Sequence, residues 1–202
     1  EHAHELTAPT QLPAQGDDHT YVRKDPIGPL LGIMPWNFPY YQVARFAAPN
    51  LMLGNAVVIK HAKICPRSAA AIAQIMADAG VPAGVYTKVY ATHDQTSTLI
   101  ADRRIAGVSL TGSERAGRQV ATQAGANLKK AVLELGGSDP YIVLDSDDVK
   151  AAADLAWGTR MYNTGQVCNA NKRLIISDDI YDEFVAELER LAAAATPGDY
   201  TA

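Results

Sequence analysis

Residues 56–90 read AVVIKHAKICPRSAAAIAQIMADAGVPAGVYTKVY, which places a helical pattern between two β-rich runs. The helical pattern, SAAAIAQIMADAG, stops where Gly80 and Pro82 oppose a longer helix. A strand, a helix and a second strand in succession are typical of a parallel βαβ unit. This stretch therefore predicts an α/β fold that is built on a parallel sheet.

The same alternation extends in both directions and suggests how the chain is divided. Residues 1–26 are polar and contain one strand-like piece, TYVRK, which indicates an extended arm. Strand and helix patterns then follow one another up to the glycine-rich segment ELGGSDP, where we place a domain boundary. We expect one α/β domain over 27–135 and the start of a second over 136–202, because about 65 residues hold too few strands for a covered sheet.

Composition excludes several classes of protein. The chain has 202 residues, of which 48% are hydrophobic and 20% charged, with a formal charge of −4, so neither disorder nor nucleic-acid binding is indicated. No run approaches the roughly 20 apolar residues of a membrane span. The two cysteines, Cys65 and Cys168, suggest neither a disulfide framework nor a metal site, and they fit a cytoplasmic location.

Two segments have features of nucleotide-binding sites. In SLTGSERAG, residues 109–117, a strand leads into a helix whose free N–H groups suit a phosphate. The segment lacks the lysine of a P-loop and the G-x-G-x-x-G pattern, so an ordinary N-cap at Ser113 is the alternative. Lys60 ends a hydrophobic strand, where it can donate to ribose hydroxyls or remain a solvated charge.

Three further segments carry groups suited to catalysis. MPWNFP, residues 34–39, holds Asn37 in a loop stiffened by two prolines, although a simple hydrophobic turn is the alternative. Glu134 ends the apolar run AVLEL, where burial would favour a general base and solvent contact would not. In NTGQVCNANKR, residues 163–173, amides and cations surround Cys168, which suggests a nucleophile, whereas Cys65 has the setting of a structural thiol.

Taken together, PWNFP, VIKHA, SLTGSERAG, LELGG and NTGQVC resemble the aldehyde dehydrogenase superfamily in their order and separation. The resemblance extends from about Tyr21 to Leu191. It implies a Rossmann-like NAD(P)-binding domain over 27–135 and a partial catalytic domain over 136–202. The arm at 1–26 would belong to an oligomerisation element of a homo-oligomer.

The resemblance also implies roles for particular residues. Cys168 would be the nucleophile, Asn37 the oxyanion donor and Glu134 the general base. Lys63 stands where NAD-preferring relatives often carry a glutamate, so we expect NADP or NAD with NADP slightly favoured. The implied cofactor contacts are Trp36, Lys60, Lys63, Gly112, Ser113, Gly117, Leu135 and Gly136.

A basic residue points to the class of aldehyde. Arg45 lies eight residues after Asn37, where the resemblance places the aldehyde pocket together with Tyr41 and Gln42. An arginine there can grip a carboxylate at the far end of the substrate, although a surface charge is the alternative. KHA and ELGGSDP are similar to segments of succinate-semialdehyde dehydrogenases. We expect succinate semialdehyde, or a near relative such as glutarate semialdehyde, as substrate.

The extent of the chain leaves other functions open. Members of the superfamily are roughly twice as long, so the chain is expected to be an incomplete version of a longer enzyme. One alternative is a non-catalytic fragment that binds nucleotide without oxidising aldehydes. A second is a cysteine hydrolase that pairs Cys168 with a histidine, for which His61 and His93 are poor candidates.

Overall fold

The computed structural model describes residues 2–16 and 18–199 of the chain. The chain divides into two compact units, Glu1–Leu135 and Gly136–Ala202, so the division falls within ELGGSDP. The roles predicted for 1–26, 27–135 and 136–202 stay predictions. Residues 1, 17 and 200–202 of the predicted arm and catalytic portion lie outside the described residues.

The first unit combines a small antiparallel ribbon with a parallel α/β layer. Its helices are α1 (Ala3–Thr7), α2 (Pro39–Met52), α3 (Pro66–Asp78), α4 (His93–Ala101) and α5 (Glu114–Ala126). Its strands are β1 (Thr10–Leu12), β2 (Thr20–Val22), β3 (Leu30–Ile33), β4 (Val57–Lys60), β5 (Tyr86–Val89), β6 (Gly107–Thr111) and β7 (Lys130–Glu134). Strands β1 and β2 form the ribbon, and all of their residues are exposed.

The five remaining strands form one parallel sheet in the order β5-β4-β3-β6-β7. The chain adds β4 and β5 on one side of β3, then returns to add β6 and β7 on the other side. The strand order therefore reverses between β3 and β6, which opens a crevice outside their carboxyl ends. This topology confirms the predicted α/β fold with a parallel sheet.

Hydrophobic side chains cover both faces of the sheet because residues of a strand alternate between its faces. Leu31 of β3 and Val108 of β6 are paired and pack with α4 and α5. Val57 of β4 pairs with Leu30, so it points to the opposite face, where it packs with α2 and α3. Helices α2 and α3 therefore lie on one face, and α4 and α5 lie on the other.

The face that carries α2 is less covered over β7. Register pairs Ser109 with Val132 and Thr111 with Glu134, so these side chains share the α2 face. Val132 and Glu134 are nevertheless exposed. The carboxyl ends of β6 and β7 therefore present side chains beside α2 that the surrounding structure does not bury.

The second unit is a smaller parallel α/β layer. Its elements are β8 (Asp139–Val143), α6 (Val149–Met161), a 3₁₀ turn (Tyr162–Gly165), β9 (Asn171–Ile176) and α7 (Asp178–Ala194). Phe184 of α7 is fully buried against α6 and one face of the two strands. Ile142 and Ile175 are paired on the other face, where both are exposed. Within residues 136–199, this face of the two-stranded sheet is therefore exposed.

No helix in the described parts of the chain is both long enough and apolar enough to cross a membrane.

A glycine allows close packing between α5 and the segment that follows β7. A Cβ atom built on Gly117 would lie 2.7 Å from Cδ2 of Leu135. Gly117 is buried, and Leu135 packs against the core beneath α4 and α5. This glycine is therefore required by packing, independently of any contact with a cofactor.

We predict that Gly117→Ala lowers the free energy of unfolding by about 1–3 kcal/mol, because the added methyl group overpacks the contact with Leu135. Gly125→Ala in the same helix is the control, since no atom lies within 4 Å of its new Cβ. The control should raise stability by up to about 1 kcal/mol through helix propensity. Denaturant titration measures both changes, and equal effects would contradict the packing explanation.

Candidate active site

Strand register brings two polar side chains together at the edge of the first unit's sheet. Thr111 and Glu134 are the last residues of β6 and β7, and they are directly paired. Because paired residues of parallel strands share a face, both side chains lie on the side of the sheet that carries α2. Ligands of open α/β sheets bind at this carboxyl edge.

Arg45 of α2 joins the two strand ends. Its Nη1 atom donates to Oε2 of Glu134 at 3.3 Å, and its Nη2 atom donates to Oγ1 of Thr111 at 3.0 Å. The guanidinium carbon lies 6.0 Å from the centre of the Tyr41 ring, one helical turn earlier. Arg45, Thr111, Glu134 and Tyr41 therefore form one cluster, which we call the Arg45 cluster.

The structure decides between the two settings considered for Glu134, burial and contact with solvent. Solvent contact is observed, since 52% of the Glu134 side chain is exposed. Because β7 is an edge strand, its last side chain is not enclosed on the α2 face. The partner of this carboxylate is thus the Arg45 guanidinium, and an apolar environment does not enclose it. Arg45 itself is neither buried nor free of contacts, with 37% of its side chain exposed.

A cavity of about 400 Å³ adjoins the Arg45 cluster. Its walls are largely apolar and include Met34, Phe46 and Val132, with Arg45 and Glu134 among the polar groups. Gln42 of α2 also lines it, is only 3% exposed, and has a buried Oε1 atom without a hydrogen-bond partner in the described structure. Such an atom favours a bound donor group, because an unpaired buried acceptor is costly.

The loop that carries Asn37 connects β3 to α2. Asn37 is half-buried two residues before Pro39, which begins the helix. Trp36 is 45% exposed. Its backbone carbonyl oxygen accepts a hydrogen bond from Sγ of Cys65 at 3.8 Å. Burial raises the pKa of the Cys65 thiol, which agrees with the interpretation of Cys65 as structural.

Two lysines lie near the end of β4. Lys60 is only 8% exposed, and it is the β4 residue paired with the last residue of β3. Burial lowers the pKa of Lys60, and the positive charge of Lys63 lowers it further. Lys63 is exposed in the turn that follows. An anion at this edge would offset both effects, so the pair fits a phosphate-bearing ligand.

The segment that follows β6 begins α5 with a capped N-terminus. Oγ of Ser113 accepts from the backbone N–H of Ala116 at 3.3 Å, which confirms the N-cap interpretation. The N–H of Gly112 donates to the carbonyl of Glu134 at 2.9 Å, so it belongs to the sheet. Gly117 and Leu135 contact each other, as described above. Gly136 is exposed at the start of the second unit.

The predicted nucleophile, Cys168, lies in an exposed loop of the second unit that a strained turn precedes. Asn163, Thr164 and Gly165 have φ values of 49°, 55° and 74°, so three successive residues are left-handed. A β-branched residue such as Thr164 rarely adopts this conformation. The surrounding contacts must therefore stabilise this turn.

Three polar side chains hold this loop. Nη1 of Arg160 donates to the carbonyl of Gly165 at 3.2 Å, and Nζ of Lys172 donates to the carbonyl of Cys168 at 3.1 Å. Nδ2 of the buried Asn171 donates to the carbonyl of Ala156 in α6 at 3.0 Å. The backbone on both sides of Cys168 is thus fixed by hydrogen bonds from within the unit.

Sequence reasoning missed three of these residues. Thr111 ends the strand at the start of SLTGSERAG, the predicted phosphate-binding segment. Its position at the carboxyl end of that strand could have indicated a place in the site. Arg160 and Lys172 contact backbone carbonyls of a left-handed turn and a loop, and no residue pattern signals such contacts in advance. Their contribution became visible only from the path of the backbone.

The two histidines considered as partners for a hydrolytic cysteine differ in exposure. His61 is 4% exposed, and both of its ring nitrogens are buried without partners in the described structure. Burial lowers its pKa, and the charge of Lys88 lowers it further, so the buried ring favours the neutral form. His93 is exposed at the first turn of α4. Neither observation favours a cysteine hydrolase.

We predict that Gly165→Ala changes the reactivity of Cys168. An added Cβ would overlap the Arg160 guanidinium, and the residue would be strained at a φ of 74°. Iodoacetamide labelling followed by peptide mass spectrometry should show at least about a threefold change at Cys168, as about 0.65 kcal/mol of altered loop energetics would give. Gly158→Ala in α6 is the control, since its new Cβ meets no atom within 4 Å. Unchanged labelling of Cys168 in Gly165→Ala would show that the turn does not position the thiol.

Comparisons with known proteins show the family to which the chain is related. The model of the aldehyde dehydrogenase family matches residues 1–202. The chain is 55% identical to a succinate-semialdehyde dehydrogenase [NADP(+)] of Deinococcus radiodurans, over 86% of this chain and 36% of the relative. It is 50% identical to a succinate semialdehyde dehydrogenase [NAD(P)+] of Escherichia coli K12, over 86% of this chain and 38% of the relative.

A solved structure is similar over almost the whole chain. It is the succinic semialdehyde dehydrogenase of Streptococcus pyogenes in complex with NADP+, which is 44% identical with a TM-score of 0.92. The match covers 98% of this chain and 43% of that one, so the chain spans about two-fifths of the length of such relatives. Because the family model matches all 202 residues of the chain, the chain belongs to the aldehyde dehydrogenase family.

Proposed function

We propose that the protein oxidises a carboxylate-bearing aldehyde, succinate semialdehyde or a near relative such as glutarate semialdehyde, with NADP or NAD as cofactor. The Arg45 cluster beside the cavity carries this proposal. An aldehyde with an apolar tail gains no binding affinity from a guanidinium at this position. A substrate carboxylate can form a charge-assisted pair of hydrogen bonds with it. The names of the two curated relatives support the same substrate.

In the proposed reaction the Cys168 thiolate adds to the aldehyde carbon and forms a C–S bond. The Asn37 amide and the backbone N–H of Cys168 stabilise the resulting oxyanion. The chemistry that NADP or NAD would supply, when held by Lys60, Lys63 and Ser113, is acceptance of the hydride that leaves this carbon as the thioester forms. Glu134 takes a proton from the water that attacks the thioester, and the C–S bond breaks to release the acid and the thiolate.

Residues at the carboxyl edge of the first sheet fit the cofactor. Lys60 and Lys63 supply positive charge for a phosphate of the cofactor. Burial and the charge of Lys63 lower the pKa of Lys60, and a bound phosphate would offset both effects. Lys63 suits the 2′-phosphate that distinguishes NADP from NAD, so NADP is slightly favoured. Ser113 begins α5 beside the crevice at which the strand order reverses. Trp36, Gly112, Leu135 and Gly136 complete the set assigned by resemblance, with Gly117 needed for packing.

We further propose a homo-oligomer in the cytoplasm. The ribbon of β1 and β2 is exposed along both strands, and an exposed strand edge is suited to pairing with a second copy. Cys65 and Cys168 are both free thiols, as a reducing compartment favours. Light scattering of the purified natural-length protein tests the oligomer, and a monomer at micromolar concentration would contradict it.

The substrate assignment predicts a marked preference between two four-carbon aldehydes. In the natural-length protein, kcat/KM for succinate semialdehyde should exceed that for butanal by at least about tenfold, which corresponds to 1.4 kcal/mol from the carboxylate contact. The assay is run with NADP and with NAD. No preference for the acid would contradict the role of Arg45, and cofactor binding without any aldehyde oxidation would favour the non-catalytic alternative.

A further inference from the structure

The outer end of the Arg45 guanidinium is occupied by residues of this chain. Nη1 donates to Glu134 and Nη2 donates to Thr111, so both terminal nitrogens have partners. The Tyr41 ring also lies beside the guanidinium. The proposed base and the proposed substrate-binding residue are therefore bound to each other.

This contact sets up a competition between two carboxylates. A substrate carboxylate binds an arginine best through two parallel hydrogen bonds, and the outer pair of nitrogens offers such a fork. Glu134 already uses one of these nitrogens. Two carboxylates at one guanidinium repel each other, so firm binding of the substrate favours departure of Glu134.

The pair has the properties of an exchangeable contact. Arg45 and Glu134 are 37% and 52% exposed, and exposed ion pairs are weak because water and salt screen them. The hydroxyl of Thr111 is neutral and does not repel an incoming anion. Thr111 and Tyr41 can thus keep the guanidinium in place while Glu134 leaves it.

We propose that Arg45 is a positioning residue that holds Glu134 away from its task until a carboxylate-bearing aldehyde replaces it. This inference rests on the proposed function. Once the substrate carboxylate occupies Arg45, the Glu134 carboxylate is free to accept the proton of the water that attacks the thioester on Cys168. Substrate choice is then expressed in kcat as well as in KM.

We call this replacement of Glu134 by the substrate carboxylate on Arg45 the exchange. It acts on one step of the reaction. Formation of the thioester uses Cys168 and Asn37, and it does not need Glu134. Hydrolysis of the thioester does need Glu134 as the base. A short neutral aldehyde should therefore form the thioester in a rapid burst and then turn over slowly, because nothing releases Glu134 from Arg45.

Adding a separate small carboxylate tests the exchange. With propanal as substrate of the natural-length protein, acetate should raise the steady-state rate at least about threefold without changing the burst rate, with chloride at equal ionic strength as reference. Arg45→Met should lose the acetate effect, and Arg45→Lys should retain part of it. Arg118→Met is the control, since Arg118 is exposed and pairs with Glu114 elsewhere on the surface.

Several results would overturn the inference. Acetate that only inhibits, or that activates Arg45→Met as strongly as the parent protein, would exclude the exchange. A crystal structure of the protein soaked with succinate gives a readout that does not depend on turnover. Succinate on Arg45 with Glu134 turned away supports the exchange, and an intact pair between Arg45 and Glu134 contradicts it. Absence of oxidation with every aldehyde would refute the proposed function instead, while the soaked structure still decides the exchange.

Discussion

The register of three neighbouring parallel strands is the constraint on which the candidate site depends. Because β3, β6 and β7 are paired in step, Thr111 and Glu134 reach the same edge and the same face of the sheet. Helix α2 lies on that face and brings Arg45 to both of them. A shift of β7 by one residue would turn Glu134 to the opposite face and separate it from Arg45. Backbone pairing thus determines which charges meet.

Much of the fold could be predicted from the sequence. The alternation around residues 56–90 gave β4, α3 and β5, because hydrophobic periodicity and the Gly80 and Pro82 stop signals act locally. The boundary placed within ELGGSDP likewise rests on a local glycine-rich pattern, and the division between the two compact units falls there. In contrast, the pairing of β6 beside β3 depends on contacts far apart in the sequence, and no local pattern reveals it.

The site was harder to predict than the fold. The apolar strand left burial and solvent contact open for Glu134, because the choice between them depends on the position of β7 at the edge of the sheet. The substrate role of Arg45 was implied by the resemblance, which says nothing about its contact with Glu134. The N-cap at Ser113 was predictable, because its partner is only three residues away. Contacts between residues close in the sequence could be predicted, whereas contacts between side chains on different helices and strands could not.

In the second unit, the contacts of the loop that carries Cys168, the predicted nucleophile, were also not predictable from the sequence. Three left-handed residues precede Cys168, and hydrogen bonds from Arg160 and Lys172 hold the backbone around it. The most direct measurement is the mass of the Cys168 peptide in the natural-length Glu134→Gln variant after mixing with succinate semialdehyde and NADP. A succinyl group on Cys168, with Cys65 unmodified, is the expected result, because the thioester forms but is not hydrolysed. An unmodified Cys168 would contradict its role as the nucleophile.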